Sequence, residues 1–286
     1  MKGFLIINKP EGITSFAVVK KVRYITKIKK IGHAGTLDPF AEGVLVLCMG
    51  KATRLCSYFL AETKEYIATI KMGFRTDTLD IDGEILEKRE IQKLSKENLA
   101  LVAEKMLLLK SHIPPKYSAK KVDGKRAYDM ARKNIDFQLE SVPIRIYDFE
   151  ILSYESDTIT YKTKVSKGTY IRVLSEILAK FTGNIATTIK LKRIKSGKIG
   201  IDNAIDLSEL TEENWEKKIT PIEKILNNRE KIYINSEDVL NFKNGRSFEI
   251  KNKGDIQKIM VCAESGECIG FADILQGVVL PKMVLI

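Results

Sequence analysis

An aspartate in a glycine-rich loop leads directly into an apolar strand in the segment GHAGTLDPFAEGVLVL (residues 32–47). Glycines at positions 32, 35 and 43 permit backbone angles that other residues rarely adopt, and Pro39 favours an extended conformation for the preceding Asp38. The Asp38 carboxylate is therefore aimed by its covalent neighbours, as a nucleophile requires. Asp-Pro is also a common start of a turn, so this segment alone leaves both a catalytic and a purely structural role open.

The charge of the 286-residue chain favours a polyanionic partner, because its formal net charge is +11 at pH 7. Each Lys or Arg placed near a phosphate gains from counterion release, so nucleic acid is the first candidate and an anionic membrane surface the second. Apolar runs are shorter than the roughly 18 residues needed to span a bilayer, and the N-terminal apolar segment meets Asn8 too early for a signal peptide. We expect a cytoplasmic globular protein.

Metal and cofactor motifs are weak in this sequence. The four cysteines lack CxxC spacing, and two histidines are too few for a histidine-rich metal site. The acidic residues of segment 77–84 do not match the spacing of a calcium-binding loop, and segment 50–53 lacks the upstream glycine of a phosphate-binding loop. The sequence predicts neither a metal site nor a cofactor site.

Strands and helices interleave along the chain, and basic residues collect in three of the segments. A basic amphipathic helix is predicted from Thr14 or Ser15 toward Ile28, and an exposed basic arm with interspersed tyrosines at about 113–133. A strand over 187–198 alternates apolar and basic residues, which predicts a cationic row on one face. Beyond Pro221, short strands and turns predict a compact β-rich module.

Several short motifs in this order resemble the TruB type of tRNA pseudouridine synthase, over about three quarters of the chain by rough count. The motifs that carry the resemblance are Asn8-Lys9-Pro10, Gly12-Ile13-Thr14-Ser15, residues 32–39, Lys64-Glu65-Tyr66, Thr76-Asp77-Thr78, Pro114-Pro115, Tyr117-Ser118-Ala119, residues 166–172 and Leu191-Lys192-Arg193.

The resemblance implies an α+β fold, the pseudouridine synthase fold, in which a mixed, mainly antiparallel sheet is flanked by helices. It places the catalytic domain at 1–228, with an RNA-clamping insertion at about 113–133, and a small β-rich PUA-like RNA-binding domain at 229–286. The implied reaction is isomerisation of uridine 55 in the T-loop of tRNA, without cofactor or metal. The implied partner is the T-stem-loop of tRNA, with no membrane and no obligatory protein partner, and we expect a monomer.

The resemblance also implies roles for individual residues. Asp38 is the expected nucleophile, Arg172 its charged partner, and Tyr66 the aromatic residue on which the extruded uracil stacks. Three further positions match substrate-contacting positions of the family, namely His33, Tyr170 and Leu191. Glu176 departs from the aspartate common in the family, but it touches none of these roles.

Two other functions remain open from the sequence. One is a non-catalytic tRNA-binding or RNA-folding protein that uses the same basic surfaces. The other is the RNA-guided branch of the same superfamily, which modifies ribosomal RNA within a multiprotein particle. The stand-alone enzyme is favoured because the insertion at 113–133 offers a basic RNA clamp of its own.

Overall fold

A computed structural model describes residues 2–122, 124–133, 135–251 and 253–286 of the chain. The predicted arm at 113–133 is therefore described except at residue 123. Residues 1, 134 and 252, which fall in the two predicted domains, also lie outside the described residues.

The strands, in chain order, are β1 (Lys2–Lys9), β2 (Ile31–His33), β3 (Glu42–Gly50), β4 (Lys64–Met72), β5 (Phe74–Thr76), β6 (Ile85–Lys88), β7 (Ser111–His112), β8 (Lys121–Val122), β9 (Lys125–Arg126), β10 (Val142–Pro143), β11 (Ile146–Glu155), β12 (Thr158–Val165), β13 (Ala186–Ser196), β14 (Ile199–Gly200), β15 (Ile205–Asp206), β16 (Lys231–Ile234), β17 (Phe248–Glu249), β18 (Ile256–Ala263), β19 (Cys268–Leu275) and β20 (Val278–Val284). The α-helices are α1 (Ser15–Thr26), α2 (Cys56–Ala61), α3 (Lys96–Leu107), α4 (Ala127–Arg132), α5 (Ile171–Phe181), α6 (Ile222–Ile225) and α7 (Ser236–Lys243).

The main sheet has the strand order β11-β12-β4-β13-β3-β1-β15, with β2 added to β3 and β14 to β13. Most neighbours are antiparallel, whereas β13–β3 and β1–β15 are parallel. The mixed, mainly antiparallel sheet expected from the sequence is thus confirmed.

The central strands β1 and β3 are buried on both faces, which explains their nearly continuous apolar sequences. One face packs against α1, and the other packs against α6 and the C-terminal strands. A separate core forms where β4, β12 and β13 pack against α3 and α5. The β2–β3 connection, in which Asp38 lies, contributes to two of these cores, because Ala34 packs into one of them and Leu37 and Phe40 pack into the other.

Capping explains where the first helix begins. Thr14 is its N-cap and accepts a hydrogen bond from the backbone N–H of Ala17 at 3.0 Å, as the sequence predicts. The helix ends at Thr26, and its C-cap Lys27 has a left-handed backbone with φ of 57°. Helix α5 begins at Ile171, and the segment before it contains a turn at residues 167–168.

The arm is closed at its base by the pairing of β7 with β10 and contains the β8–β9 pair and α4. It is thus more structured than the low apolar periodicity of its sequence suggests. The pairing at the base continues by one further contact, because Ile144 donates a backbone hydrogen bond to Lys110 at 2.8 Å, and β11 of the main sheet begins two residues later.

The C-terminal strands form a second sheet with the order β16-β18-β19-β20-β17. Its core surrounds Phe242 of α7, a helix that the sequence analysis did not predict. This sheet is not isolated, because Met260, Cys262, Cys268 and Phe271 pack into the apolar layer beneath β1 and β3. None of the helices in the described part of the chain has the length and apolarity needed to cross a membrane.

Candidate active site

A cleft of about 350 Å³ opens between the Asp38 loop, the start of the arm and the turn before α5. This volume is within the range of small-molecule sites, which is roughly 300–1,000 Å³. The side chains that define its chemistry are those of Asp38, Lys64, Tyr66, Tyr117, Tyr170, Leu191 and Arg193. The cleft thus combines one accessible carboxylate, aromatic rings and basic groups.

The Asp38 loop is a hydrogen-bonded turn. The backbone N–H of Ala41 donates to the carbonyl of Asp38 at 3.1 Å, with Pro39 at the second position of the turn. The neighbouring Leu37 is clamped by Ser15, whose hydroxyl accepts from the Leu37 N–H at 2.8 Å and lies 3.1 Å from its carbonyl. The start of α1 therefore fixes the backbone immediately before the aspartate.

Arg193 of β13 holds the same loop from the other side. Its side chain is buried and donates from Nε to the carbonyl of Val44 at 2.7 Å and from Nη2 to that of Gly35 at 3.0 Å. Gly43 allows the backbones of β3 and β13 to lie this close together, because a Cβ added at Gly43 would lie 2.3 Å from the Arg193 carbonyl oxygen. The φ of Gly43 is also positive, at 106°.

Arg172 joins the loop to α5 by a two-point contact with Asp38. Its Nε lies 2.9 Å from Oδ2 of Asp38, and its Nη2 donates a 3.2 Å hydrogen bond to Oδ1. The same guanidinium donates to the carbonyls of Thr78 at 2.6 Å and Tyr117 at 3.0 Å, and its Nη1 lies 3.2 Å from Oδ2 of Asp80. The Arg172 side chain is 4% exposed and that of Asp38 33%. Arg172 is therefore fixed, whereas Asp38 keeps one side open to the cleft.

Asp80 was not identified by the sequence analysis, which considered its acidic segment only as a calcium loop. Burial raises its pKa, and the opposing effects of the Thr78 hydroxyl and Arg172 only partly offset this shift. The Thr78 hydroxyl donates to Oδ1 of Asp80 at 2.6 Å. A signal was present in the sequence, since Asp80 lies two residues after the motif Thr76-Asp77-Thr78.

Three of the other four predicted site residues line the cleft, and the fourth does not. Tyr66 on β4 and Leu191 on β13 line the cleft from the sheet, and Tyr170 lines it from the turn before α5. His33 on β2 is not one of the cleft-lining residues. Burial, and then the nearby Arg193 charge, lower the pKa of His33.

Two further buried cations support the site, and the sequence analysis included both in its motifs without assigning them a role. Lys9 donates to three carbonyls, including that of Pro39 at 3.1 Å, and Lys64 donates to three carbonyls at the end of α2. Burial lowers the pKa of each lysine to about 8. These ammonium groups therefore brace the loops around Asp38, and they add positive potential to the cleft wall.

The predicted cationic row on β13 is divided by the strand's alternation. Leu191 and Arg193 face the cleft, so Lys190 and Lys192 project from the opposite face of the sheet. Lys192 also lies 3.2 Å from a carboxylate oxygen of Glu42. The strand therefore contributes one buried arginine to the site, and its exposed lysines point away from it.

A model of the family described as TruB family pseudouridylate synthase (N terminal domain) matches residues 23–171, just over half of the chain. The chain belongs to the TruB family of pseudouridylate synthases. Curated relatives named tRNA pseudouridine synthase B extend the match. The relative from Clostridium tetani is 39% identical over 259 residues, which cover 91% of this chain and 89% of the relative. That from Francisella philomiragia is 40% identical over 226 residues, covering 79% and 75%.

Solved structures confirm the pseudouridine synthase fold of this TruB family member. One is an H/ACA RNP bound to a substrate RNA containing 2′-deoxyuridine, with a TM-score of 0.73 at 21% identity. Another is a Cbf5–Nop10–Gar1 complex, with a TM-score of 0.73 at 22% identity. Each match covers 99% of this chain and 85% of the other. At these identities the likeness concerns the fold alone, including its mixed sheet and C-terminal β-rich sheet.

Proposed function

We propose that this chain isomerises uridine 55 in the T-loop of tRNA to pseudouridine, with Asp38 as the nucleophile and without a cofactor. Membership of the TruB family supports the reaction, and the relatives named tRNA pseudouridine synthase B support tRNA as the substrate. The net charge of +11 agrees with an RNA substrate.

The observation that carries the proposal is the two-point contact between Arg172 and Asp38 at the wall of the cleft. Charge-assisted contacts of this kind fix the orientation of a carboxylate and stabilise its negative charge. An ionised carboxylate attacks, or accepts a proton, without a separate base to activate it. Because Arg172 is nearly buried and Asp38 is partly exposed, the reactive oxygen faces the substrate rather than the protein core.

The cleft accepts an extruded nucleotide rather than a stacked one. Asp38 lies below the surface among aromatic and apolar side chains, where a base within a helical stack cannot reach it. Tyr66 supplies a ring for the flipped uracil, and base–aromatic stacking contributes about 1–3 kcal/mol, comparable with the cost of unstacking a loop base. Tyr170 and Leu191 complete the walls around the base. His33, which does not line the cleft, contacts the RNA outside the base pocket in this proposal.

The reaction itself neither adds nor removes atoms. The C1′–N1 bond of uridine breaks, the base turns within the cleft, and a C1′–C5 bond forms. The proton on C5 is released and N1 takes up a proton. Attack of Asp38 on C1′, attack on C6, and proton removal from C2′ to form a glycal all need the same ionised carboxylate, so its placement supports each route.

Pseudouridine mapping tests this function. Transcript tRNA is incubated with the pure chain and then treated with a carbodiimide that labels pseudouridine, because pseudouridine and uridine have the same mass. The labelled RNA is mapped by mass spectrometry, and we expect pseudouridine at position 55 alone. The Asp38→Asn variant keeps the shape of the side chain but removes its charge, so product formation should disappear while tRNA affinity changes little. Turnover by Asp38→Asn would refute the nucleophile, and product at another uridine would refute the position.

A bare T-stem-loop transcript separates the stand-alone enzyme from the RNA-guided branch. The isolated chain is proposed to act as a monomer without protein or guide RNA, so the transcript should be converted. Inactivity on the stem-loop, with activity restored by added guide RNA, would favour the guided branch. Binding without conversion of either RNA would favour a tRNA-binding or RNA-folding protein.

We further propose that 229–286 forms a PUA-like RNA-binding domain that follows a catalytic domain at 1–228. Its support is a sheet and core of its own, together with exposed basic residues such as Arg246 and Lys251. Charge reversal at both positions should weaken the binding of full-length tRNA without changing the single-turnover rate at saturating enzyme. Unchanged affinity would contradict an RNA-binding role for this surface.

A further inference from the structure

His112 lies at the base of the arm, outside the residues assigned above. It belongs to β7, where it pairs with Val142 of β10 and so closes the segment that carries the arm. The side chain is almost entirely buried, with 4% of the residue exposed. A buried imidazole needs hydrogen-bond partners, because an unpaired polar group in the interior costs free energy.

The Nε2 atom of His112 accepts a hydrogen bond from the backbone N–H of Tyr170 at 3.0 Å. A backbone N–H only donates, so Nε2 must be unprotonated and the proton of the neutral ring must lie on Nδ1. Nδ1 has no hydrogen-bond partner among the described residues, so the contact with Tyr170 is the hydrogen bond that the ring makes there. The two rings also contact edge to face, with centroids 5.7 Å apart and planes inclined by 62°. The imidazole therefore holds both the backbone and the ring of Tyr170.

A restraint on Tyr170 affects both the wall of the cleft and the start of α5. It lines the cleft and is the N-cap of α5, whose second residue is Arg172. The arm that starts beside His112 also reaches the same arginine, since Arg172 donates to the carbonyl of Tyr117 at 3.0 Å. The His112 side chain thus connects the base of the arm, the wall of the cleft and the start of α5, the helix whose Arg172 contacts Asp38.

We propose that His112 is a positioning residue of the active site, whose neutral imidazole accepts the Tyr170 N–H and so fixes Tyr170 and the start of α5. This inference rests on the proposed function, because it assumes that Tyr170 and Arg172 serve catalysis. His112 touches neither the cleft nor Asp38, so it acts only through these residues.

Protonation removes the acceptor and so gives the proposal a pH signature. A proton on Nε2 places two donors opposite each other, and the hydrogen bond to Tyr170 is lost. Burial lowers the pKa of His112 below its usual 6.5, and the residue's own carbonyl only partly opposes this shift. Tyr170 is the titratable group that contacts the ring, and no charged side chain of the described residues contributes to the shift. The bond is therefore intact at pH 7 and lost as the pH falls through a value below 6.5.

Single-turnover rates on tRNA test the contact directly. At pH 7.5, His112→Leu removes the acceptor and should slow the rate by about 10- to 100-fold, the range expected for a small misplacement of catalytic groups. His112→Gln offers an amide oxygen as acceptor and should recover most of that loss. Equal rates for the Leu and Gln variants would overturn the proposal.

The pH profile separates positioning from a general loss of packing. Because the chain has only two histidines, His33→Gln is a control for the shape of the pH profile, whatever its effect on the absolute rate. Wild type and His33→Gln should lose rate as His112 titrates, whereas His112→Gln should lack this acid limb. Persistence of the limb in His112→Gln, or a flat wild-type profile over a range in which His112 is seen to titrate, would overturn the proposal.

Nitrogen-15 NMR of the two imidazoles reads the same contact without activity, with His112→Gln assigning the signals. We expect the Nδ1–H tautomer for His112 at pH 7.5, and the Nε2–H tautomer would overturn the proposal even if His112→Leu failed to fold. Failure of the proposed function gives a different result, namely a wild-type chain that makes no pseudouridine at position 55 while the tautomer is as expected.

Discussion

Asp80 lies 3.2 Å from the guanidinium of Arg172, and the same guanidinium also contacts Asp38. A buried arginine between two carboxylates is a rigid support, because movement in any direction lengthens a charged contact. Arg172 is also hydrogen-bonded to the carbonyls of Thr78 and Tyr117. The orientation of the Asp38 carboxylate is therefore set by a network that lies largely outside the cleft.

Removal of the Asp80 charge should slow the reaction without weakening tRNA binding. Asp80→Asn keeps the size of the side chain but leaves one side of Arg172 without its charged partner. We expect a single-turnover rate lower by roughly 10- to 100-fold, because misorientation of a catalytic group has effects of this size. Asp82→Asn, an exposed site two residues away, is the control and should retain the wild-type rate. A full rate for Asp80→Asn would show that Arg172 does not depend on this carboxylate.

Arg172→Lys should lower the single-turnover rate strongly, although the substitution keeps the positive charge. Lysine has a single ammonium group and cannot reproduce the two-point contact with Asp38 together with the donations to two carbonyls. We expect a loss of at least about 100-fold in single-turnover rate. Arg145→Lys, at an exposed arginine, is the matched control. Comparable rates for the two variants would mean that charge alone, rather than geometry, supports the nucleophile.

Gly43→Ala tests the close approach of β3 and β13. The added Cβ would meet backbone atoms of Arg193, which cannot move aside as a side chain can, and the φ of 106° is also unfavourable for alanine. We expect the free energy of unfolding to fall by at least about 3 kcal/mol in urea titrations. Gly245→Ala is the control, because its φ is 71° but the space around it is open, so a loss of only about 1 kcal/mol is expected. A similar loss of unfolding free energy in both variants would show that the contact with Arg193 is not its cause.

The salt dependence of tRNA binding should distinguish the basic surfaces. Lys120 and Lys121 are exposed and follow the cleft-lining segment 117–119 of the arm. Replacement of both by Gln should reduce the slope of log affinity against log salt by about 1.5, since each phosphate contact contributes roughly 0.7–0.9. Lys192→Gln should leave the slope unchanged, because Lys192 projects from the opposite face of the sheet and pairs with Glu42. The reverse result would place the RNA on that opposite face.

Local chemistry in the sequence determined much of the fold and of the site. The turn at Asp38-Pro39, the cap at Thr14, the doubly buried strand after Gly43 and most C-terminal strands follow from backbone preference and apolar pattern, which neighbours along the chain decide. The ordered motifs also sufficed to place the chain in its family. The cap that starts α7, Asn235, was equally present in the sequence, but a short helix with a weak apolar pattern gives little signal.

Only the tertiary structure decided which groups meet. Arg193 follows a lysine in a basic strand and looks exposed in sequence, yet the alternation of β13 places it beside Leu191 and directs it into carbonyls of the Asp38 loop. Asp80 and His112 acquire their roles from contacts with Arg172 and Tyr170, which are distant along the chain. Long-range pairing depends on sheet register and on the burial of charge, and neither is encoded in a short window of residues. The sequence thus determined the elements and the loop that carries Asp38, whereas the packing of distant segments decided the network that orients the Asp38 carboxylate.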